Sequence, residues 1–502
     1  MKNMKRELLM LLCMAAFIMG MNSCGVKESE AAVEEQQEQE EVFYKGADIS
    51  WITEMESKGE KLYNAAGEER EGTALMKELG MNAVRLRVWV DPSKHGNWCN
   101  KEDLLVKCKR AATLDMEIMI DFHYSDYWAD PNHQIIPEAW KNHSYEEMKQ
   151  DVAAHTKDVL TLLKNNQINP KWVQVGNETS DGFLWPVGKA SVNPEQYAGL
   201  FKAGYDAAKE VFPETIVIVH LDNGFDQEMY DWNLDILKNN GAKWDMIGLS
   251  VYPYWAMQNK QVNANETIAR SLANIQHLYE KYGSESIIVE TGTEVTDPEK
   301  GRREMSRIVQ RAMNQSKGHC KGVFYWEPEC RPTHYKLGAF DEEGKPTAIM
   351  EAFTPKLYTK RVAQFAILCW DINKTTENWA KFLGVETPKI VTTDSWEATH
   401  AYYRGKPCHA QIYQSFFNFE NIQFELISPM DDTPSVWLEY LKKNGEGLHH
   451  IAFTCKDMKQ TLKNLAEDGM PVVAGGDYTN GRYSYIDSEG KLTMMLELLE
   501  ND

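Results

Sequence analysis

The sequence predicts an α/β fold: a (β/α)8 TIM barrel followed by a smaller α+β domain of paired modules. Three observations lead there. Short apolar runs alternate with amphipathic helical stretches between Phe43 and Phe353. Polar and aromatic residues gather at the C-terminal ends of those runs. Beyond Phe353, one segment of the chain repeats at an offset of 86 residues.

The runs read as strands are Tyr44–Ile49, Ala83–Val90, Glu117–His123, Trp172–Gly176, Thr215–His220, Met246–Val251, Ser286–Glu290 and Gly322–Trp326. Helical periodicity falls between them at Glu102–Thr113, Tyr145–Lys164, Pro194–Val211, Thr267–Tyr282 and Arg302–Met313. Strand–helix units in this number, over about 310 residues, fit a closed parallel barrel. A doubly wound sheet that binds a nucleotide would carry a Gly-rich phosphate turn after its first strand, and no GxGxxG stands there.

The chain of 502 residues is 43% hydrophobic, which argues against a mainly disordered protein. Its 75 acidic against 54 basic residues leave a formal charge of −21. A nucleic-acid partner is therefore excluded, since a polyanion would be repelled and no basic patch offsets this. Fifteen Trp suit sugar-stacking surfaces as well as cores.

The start of the chain reads as an export signal. Lys2, Lys5 and Arg6 precede an apolar run from Leu8 to Met19, which is too short for an ordinary membrane span. The run ends at Met21-Asn22-Ser23-Cys24, which resembles the lipobox of bacterial lipoproteins, although Met21 and Asn22 depart from its stricter form. Residues 1–24 are thus read as a signal peptide with lipidation at Cys24, the alternative being plain secretory cleavage nearby. Residues 25–42 carry seven Glu and one Lys, an extended acidic tether. The expected location is exported: lipid-anchored at the bacterial outer membrane or cell surface, otherwise secreted or periplasmic. The membrane is met only through the lipid. The remaining seven Cys form no disulfide framework, and the local bridge considered is Cys320–Cys330.

Residues 43–355 make up the barrel. Chemistry collects at the C-terminal ends of barrel strands. Those ends offer Asp48, Arg85, Arg87, Trp89, Asp121, His123, Asp126, Asn177, Glu178, His220, Asp222, Ser250, Tyr252, Tyr254, Glu290, Trp326 and Glu327. Glu178 and Glu290 each follow an apolar run, at the fourth and seventh strands. Burial raises a carboxyl pKa, so such a residue implies a task or a partner. Facing carboxyls suit glycoside hydrolysis, where one protonates the leaving oxygen and the other attacks the anomeric carbon or activates water. A structural salt bridge to Arg85 or Arg87 is the competing reading.

The segments GADIS, VRLRVWVDP, DFHYSDYWADP, VGNETSDGFLWP, HLDNG, LSVYPYW, IIVETG and VFYWEP occur in this order between Phe43 and Phe353. Together they resemble glycoside hydrolase family 53, the endo-β-1,4-galactanases. The resemblance implies retaining hydrolysis of β-1,4-galactan or arabinogalactan, with no cofactor required. It makes Glu178 the general acid/base and Glu290 the nucleophile. It places Asn177 on the sugar 2-hydroxyl and Arg85 beside Glu290, keeping that carboxylate ionised. His123, Asp126, Trp128, His220, Tyr254 and Trp326 are candidate subsite residues, for which supporting hydrogen bonds or packing is an equal reading. Retention predicts carboxyls about 5–5.5 Å apart. The alternatives are another β-glycanase of the same clan, such as a mannanase or glucanase, and a non-catalytic surface glycan-binding protein.

Residues 356–502 form the second domain. Gln364–Gly384 aligns with His450–Gly469, matching Ala366/Ala452, Cys369/Cys455, Asp371/Asp457 and Asn378/Asn464. Each copy ends later in a similar strand, FELISP and LELLE. Gln364 and His450 are then equivalent, as are Glu425 and Glu497. Oxygen and imidazole donors of this kind suit a divalent ion such as Ni, Co, Zn, Mn or Fe. The stretches GEGLHHIAF, GRYSYIDSEG and LELLE are similar to the vicinal-oxygen-chelate superfamily of glyoxalase I, methylmalonyl-CoA epimerase and bleomycin-resistance proteins. That resemblance implies paired βαβββ modules and maps the metal positions onto Gln364, Glu425, His450 and Glu497. In the superfamily the metal binds two substrate oxygens and stabilises an enolate. Cytosolic CoA or glutathione substrates fit an exported chain poorly, so binding without catalysis stays open.

Overall fold

The computed structural model describes residues 42–354, 357, 362–455 and 458–501. The signal, Cys24 and all but the last residue of the acidic tether lie outside these, as do Pro355 and Lys356 at the expected domain boundary. Among the described residues no helix is long and apolar enough to cross a membrane.

The barrel strands are β1 (Tyr44–Asp48), β2 (Ala83–Val88), β3 (Glu117–Phe122), β4 (Trp172–Val175), β5 (Ile216–Leu221), β6 (Met246–Ser250), β7 (Glu285–Glu290) and β8 (Cys320–Trp326). Each pairs in parallel with the next, and β1 closes the ring against β8. Every expected strand is present, displaced by at most two residues at an end. Because side chains alternate along a strand, every second residue points inward. The inward floor is apolar: Ala83, Met119, Trp172, Ile218, Met246 and Phe324 pack as one cluster. One step further along the same strands the inward positions are Arg85, Asp121, Gln174 and His220, all buried. The barrel is therefore filled by a hydrophobic layer below and a charged layer above, next to the catalytic rim.

Five expected helices appear: Lys101–Thr113, Tyr145–Asn165, Pro194–Val211, Ala264–Tyr282 and Pro298–Gln315. The second of these starts with a capping box between Ser144 and Glu147. The third starts with Pro194, whose missing N–H costs nothing there. The sequence pattern missed the helix Gln227–Asn239. Its buried face includes Asn233, which interrupts the apolar stripe. Asn233 holds the loop after β4: its Nδ2 donates to Thr179 O at 2.9 Å and Ser180 O at 3.0 Å.

The second domain is a single mixed sheet. Its principal strands are β9 (Val362–Leu368), β10 (Ile412–Asn418), β11 (Gln423–Pro429), β12 (Gly447–Thr454), β13 (Val472–Tyr478), β14 (Gly481–Ile486) and β15 (Met495–Asn501). β9 and β12 lie antiparallel at the centre. β9 pairs in parallel with β11, and β12 in parallel with β15. The two copies share a register: Ala366 faces Glu425 in one, and Ala452 faces Glu497 in the other. With the helices Ile372–Leu383 and Met458–Glu467 and the short edge strand Val391–Thr392, each copy is a βαβββ module. All seven described cysteines are buried and none is in a disulfide, so the Cys320–Cys330 bridge does not form.

Candidate functional site

The loop after β4 places Glu178. Gly176 has φ +81°, and a Cβ there would lie 2.5 Å from Thr179 Cγ2, so only glycine makes the turn without displacing its neighbour. Glu178 itself has φ 47°, the left-handed region that costs a non-glycine residue roughly 1 kcal/mol. Surrounding bonds hold it there. Its backbone N–H donates to His220 Nδ1 at 3.2 Å, and Gln134 Nε2 donates to Asn177 O at 2.8 Å.

Ser250 Oγ donates to Glu178 Oε1 at 2.6 Å. His220 Nε2 lies 2.9 Å from Ser250 Oγ. His220 Nδ1 faces the Glu178 N–H at 3.2 Å and Asn177 Oδ1 at 3.0 Å, so the ring ties the loop after β4 to Ser250, which in turn bonds the carboxyl. Burial, with Arg85 and His123 nearby, lowers the His220 pKa well below its ordinary value, so the ring stays neutral. Burial and then the Glu290 charge push Glu178 well above the usual carboxyl range. Glu178 is the group held protonated.

Glu290 ends β7. Arg85 Nη2 stands 2.9 Å from its Oε1, and Tyr252 OH donates to its Oε2 at 3.1 Å. Arg85 is fully buried and also contacts Asp48 at 2.7 Å, Asp121 at 2.9 Å and Asn177 Oδ1 at 2.7 Å. The sequence expected Arg85 to hold Glu290 ionised. The contact is made, but burial outweighs it and raises the carboxyl to about 7. The reason is that Asp48 and Asp121 share the same guanidinium and repel the third carboxylate. Glu290 is nonetheless the more readily ionised of the two, because only it touches a cation.

The remaining expected residues divide by what they touch. His123 accepts from Ala129 N–H at Nδ1 and lies 3.0 Å from Asp121 through Nε2, so both ring nitrogens are engaged within the protein. Asp126 accepts the backbone N–H groups of Asp91 and Glu138, which ties two loops together. His220 supports Ser250 and Glu178 from behind. Asn177 is buried, with Nδ2 donating to Ala129 O at 2.8 Å. Trp128 lines a cavity of about 520 Å³ together with Trp51, Trp89, Tyr127, His95 and His334. Trp326 packs edge-on against Trp51 and Trp128. Tyr254 stands apart from these rings, bonded to Lys336 and edge-on to Trp255.

Beneath the Trp cluster lies a second charged set. Arg87 sits 4.1 Å from the Trp128 ring centroid and pairs with Glu327. Burial raises Glu327 to about 7 despite Arg87. Burial and the Glu327 charge drive Glu329 well above the ordinary value, so the pair carries one negative charge against one Arg. Trp51 and Glu329 were not among the residues expected from strand ends, because they lie two and three residues past the expected strand ends at Ile49 and Trp326.

In the second domain Gln364, Glu425, His450 and Glu497 converge as the repeat predicted. Ligand atoms of Glu425, His450 and Glu497 lie within 4.8 Å of one another, and all three residues are buried. Gln364 Nε2 donates to Glu425 Oε2 at 2.6 Å. Gln414, which sequence reasoning missed, donates to Glu425 Oε1 at 2.6 Å from the neighbouring strand. His450 Nε2 is 3.0 Å from Glu497 Oε2 and 3.7 Å from Glu425 Oε2, an imidazole set between two carboxylates. The three ligand atoms converge on one point, and the donor set of two carboxylates, an imidazole and an amide fits a divalent ion.

A closed parallel barrel with an acid carboxyl after its fourth strand and a cation-paired carboxyl after its seventh defines a glycoside hydrolase. The chain belongs to glycosyl hydrolase family 53, whose profile matches residues 44–425, running past the barrel into the second domain. It is 31% identical over 311 residues to "Probable arabinogalactan endo-beta-1,4-galactanase A" of Neosartorya fischeri, covering 57% of this chain and 83% of that one. It is 29% identical over 319 residues to "Endo-beta-1,4-galactanase" of Bacillus subtilis, covering 58% of this chain and 71% of that one. The solved catalytic domain of the family from Ignisphaera aggregans superposes with a TM-score of 0.57 at 29% identity, covering 62% of this chain and 95% of that one.

Proposed function

We propose that the barrel cleaves β-1,4-galactan or arabinogalactan within the chain, with retention of configuration. The opposed settings of Glu178 and Glu290 carry this reading. Glu290, paired with Arg85 and Tyr252, attacks the anomeric carbon as a carboxylate. Glu178, kept protonated by burial, gives its proton to the departing glycosidic oxygen. The resulting glycosyl ester on Glu290 is then opened by a water that loses its proton to Glu178. The galactanase names of the relatives support galactan over mannan or cellulose. Reducing-sugar release from galactan, arabinogalactan, mannan and cellulose tests the substrate. Release from mannan or cellulose without release from galactan would overturn it. A first product of α configuration by proton NMR would overturn retention.

The second domain is read as a divalent-metal module of the glyoxalase-like kind. The convergence of His450 Nε2 with the Glu425 and Glu497 carboxylates supports this reading. Gln364, Glu425, His450 and Glu497 would hold the ion. Such an ion would polarise two oxygens of a bound molecule.

Export with lipidation at Cys24 remains the reading of the N-terminal sequence. Labelled palmitate incorporated into the wild-type chain, and lost in Cys24→Ala, is the expected result. Unlabelled wild type would leave plain secretion.

A further inference from the structure

We propose that the second domain binds a neutral mono- or disaccharide, of the class the barrel releases, through adjacent oxygens at its metal position. This rests on the metal reading above. A cavity of about 480 Å³ opens over Glu425 and Glu497, within the size range of small-molecule sites. Among the described residues its lining contains no Lys, Arg or His, and its charged members are Asp394, Asp477, Glu425 and Glu497. A divalent ion would offset the two buried glutamates and leave Asp394 and Asp477, the latter 3.3 Å from His400 Nδ1, as the other acids of the wall.

A phosphate, thiol-peptide carboxylate or CoA-like ligand needs cationic or N–H-rich walls, and here it would meet acids instead. A neutral polyol meets what it needs. Thr392, Thr393, Thr399 and Gln414 offer hydroxyl and amide partners. Trp437, Tyr478, Tyr483, Tyr485 and Phe416 offer rings for the C–H faces of a sugar. Carboxylates such as Asp394 and Asp477 accept hydroxyl protons at the same time. Glu497, whose buried Oε2 lies 3.0 Å from His450 Nε2, is a residue of this wall, which places the metal position at the cavity.

The test uses the full chain loaded with Co(II). Among the described residues the metal-type cluster lies in the second domain, so the visible cobalt spectrum reports on this pocket and not on the barrel. Galactose and β-1,4-galactobiose are expected to shift the cobalt bands saturably, while glutathione and CoA leave them unchanged. Ala410→Trp places a large ring in the cavity wall. It should abolish the sugar response while galactan hydrolysis and cobalt content stay at wild-type levels. Should that variant fail to fold, Tyr483→Leu should weaken the apparent affinity at least several-fold. Cobalt bound without any sugar response overturns this inference alone. A response to glutathione or CoA in place of sugar does the same. No cobalt uptake overturns the metal reading and this inference with it.

Discussion

Ser250 donates to Glu178 Oε1 at 2.6 Å, and two residues along the same chain Tyr252 donates to Glu290 Oε2 at 3.1 Å. The end of β6 thus touches both carboxyls. Each bond favours the charged form of its acceptor, and each works against burial.

The pH profile follows. Activity requires Glu290 ionised and Glu178 protonated, so kcat/KM rises as pH passes the Glu290 value of about 7 and falls above that of Glu178. Removing a donor from a carboxylate raises its pKa. Tyr252→Phe should move the acid limb up, and Ser250→Ala the alkaline limb up, each by about half to one pH unit. A kcat/KM profile measured for each variant checks this, and equal movement of both limbs in either variant would refute the separate assignments.

Glu178→Gln and Glu290→Gln should each lower kcat by about a thousandfold or more while leaving galactan binding nearly intact. Azide should restore turnover in a Glu290→Gly enzyme with the product in α configuration, since the anion then attacks from the vacated face. Rescue giving the β product would exclude Glu290 as nucleophile.

Arg87 and Glu327 form a fully buried pair, and a buried ion pair that loses one member leaves an uncompensated charge. Glu327→Gln is expected to lower stability by about 3 kcal/mol, read as a fall in the urea midpoint. Glu329→Gln should cost far less, because that carboxyl is already held neutral by burial and by Glu327.

Metal analysis of the full chain should find about one divalent ion per molecule, and EDTA should lower the melting temperature of a transition that galactan hydrolysis does not follow. Glu497→Gln and His450→Ala should each reduce metal content. Wild-type protein with no metal and no EDTA response would reject the site.

Much of the site was legible along the chain. The strand count, Glu178 and Glu290 came from apolar runs ending in acids, and the second-domain set came from the repeat. Asn233 and Gln414 were not legible. One is a polar residue on a buried helix face, and the other sits on a strand beside the repeat positions. Their roles come from partners at remote positions, Thr179 and Glu425.

By itself the sequence determined the order of elements and the candidate carboxyls at the strand ends, because periodicity and residue type are local properties. Only the tertiary structure decided their charge states and company. Arg85 serves three carboxylates rather than Glu290 alone, His123 and Asp126 bond to other loops of the barrel, and His450 stands between Glu425 and Glu497. Electrostatic energy depends on distances and burial between remote residues, and those exist only once the barrel and the sheet have closed.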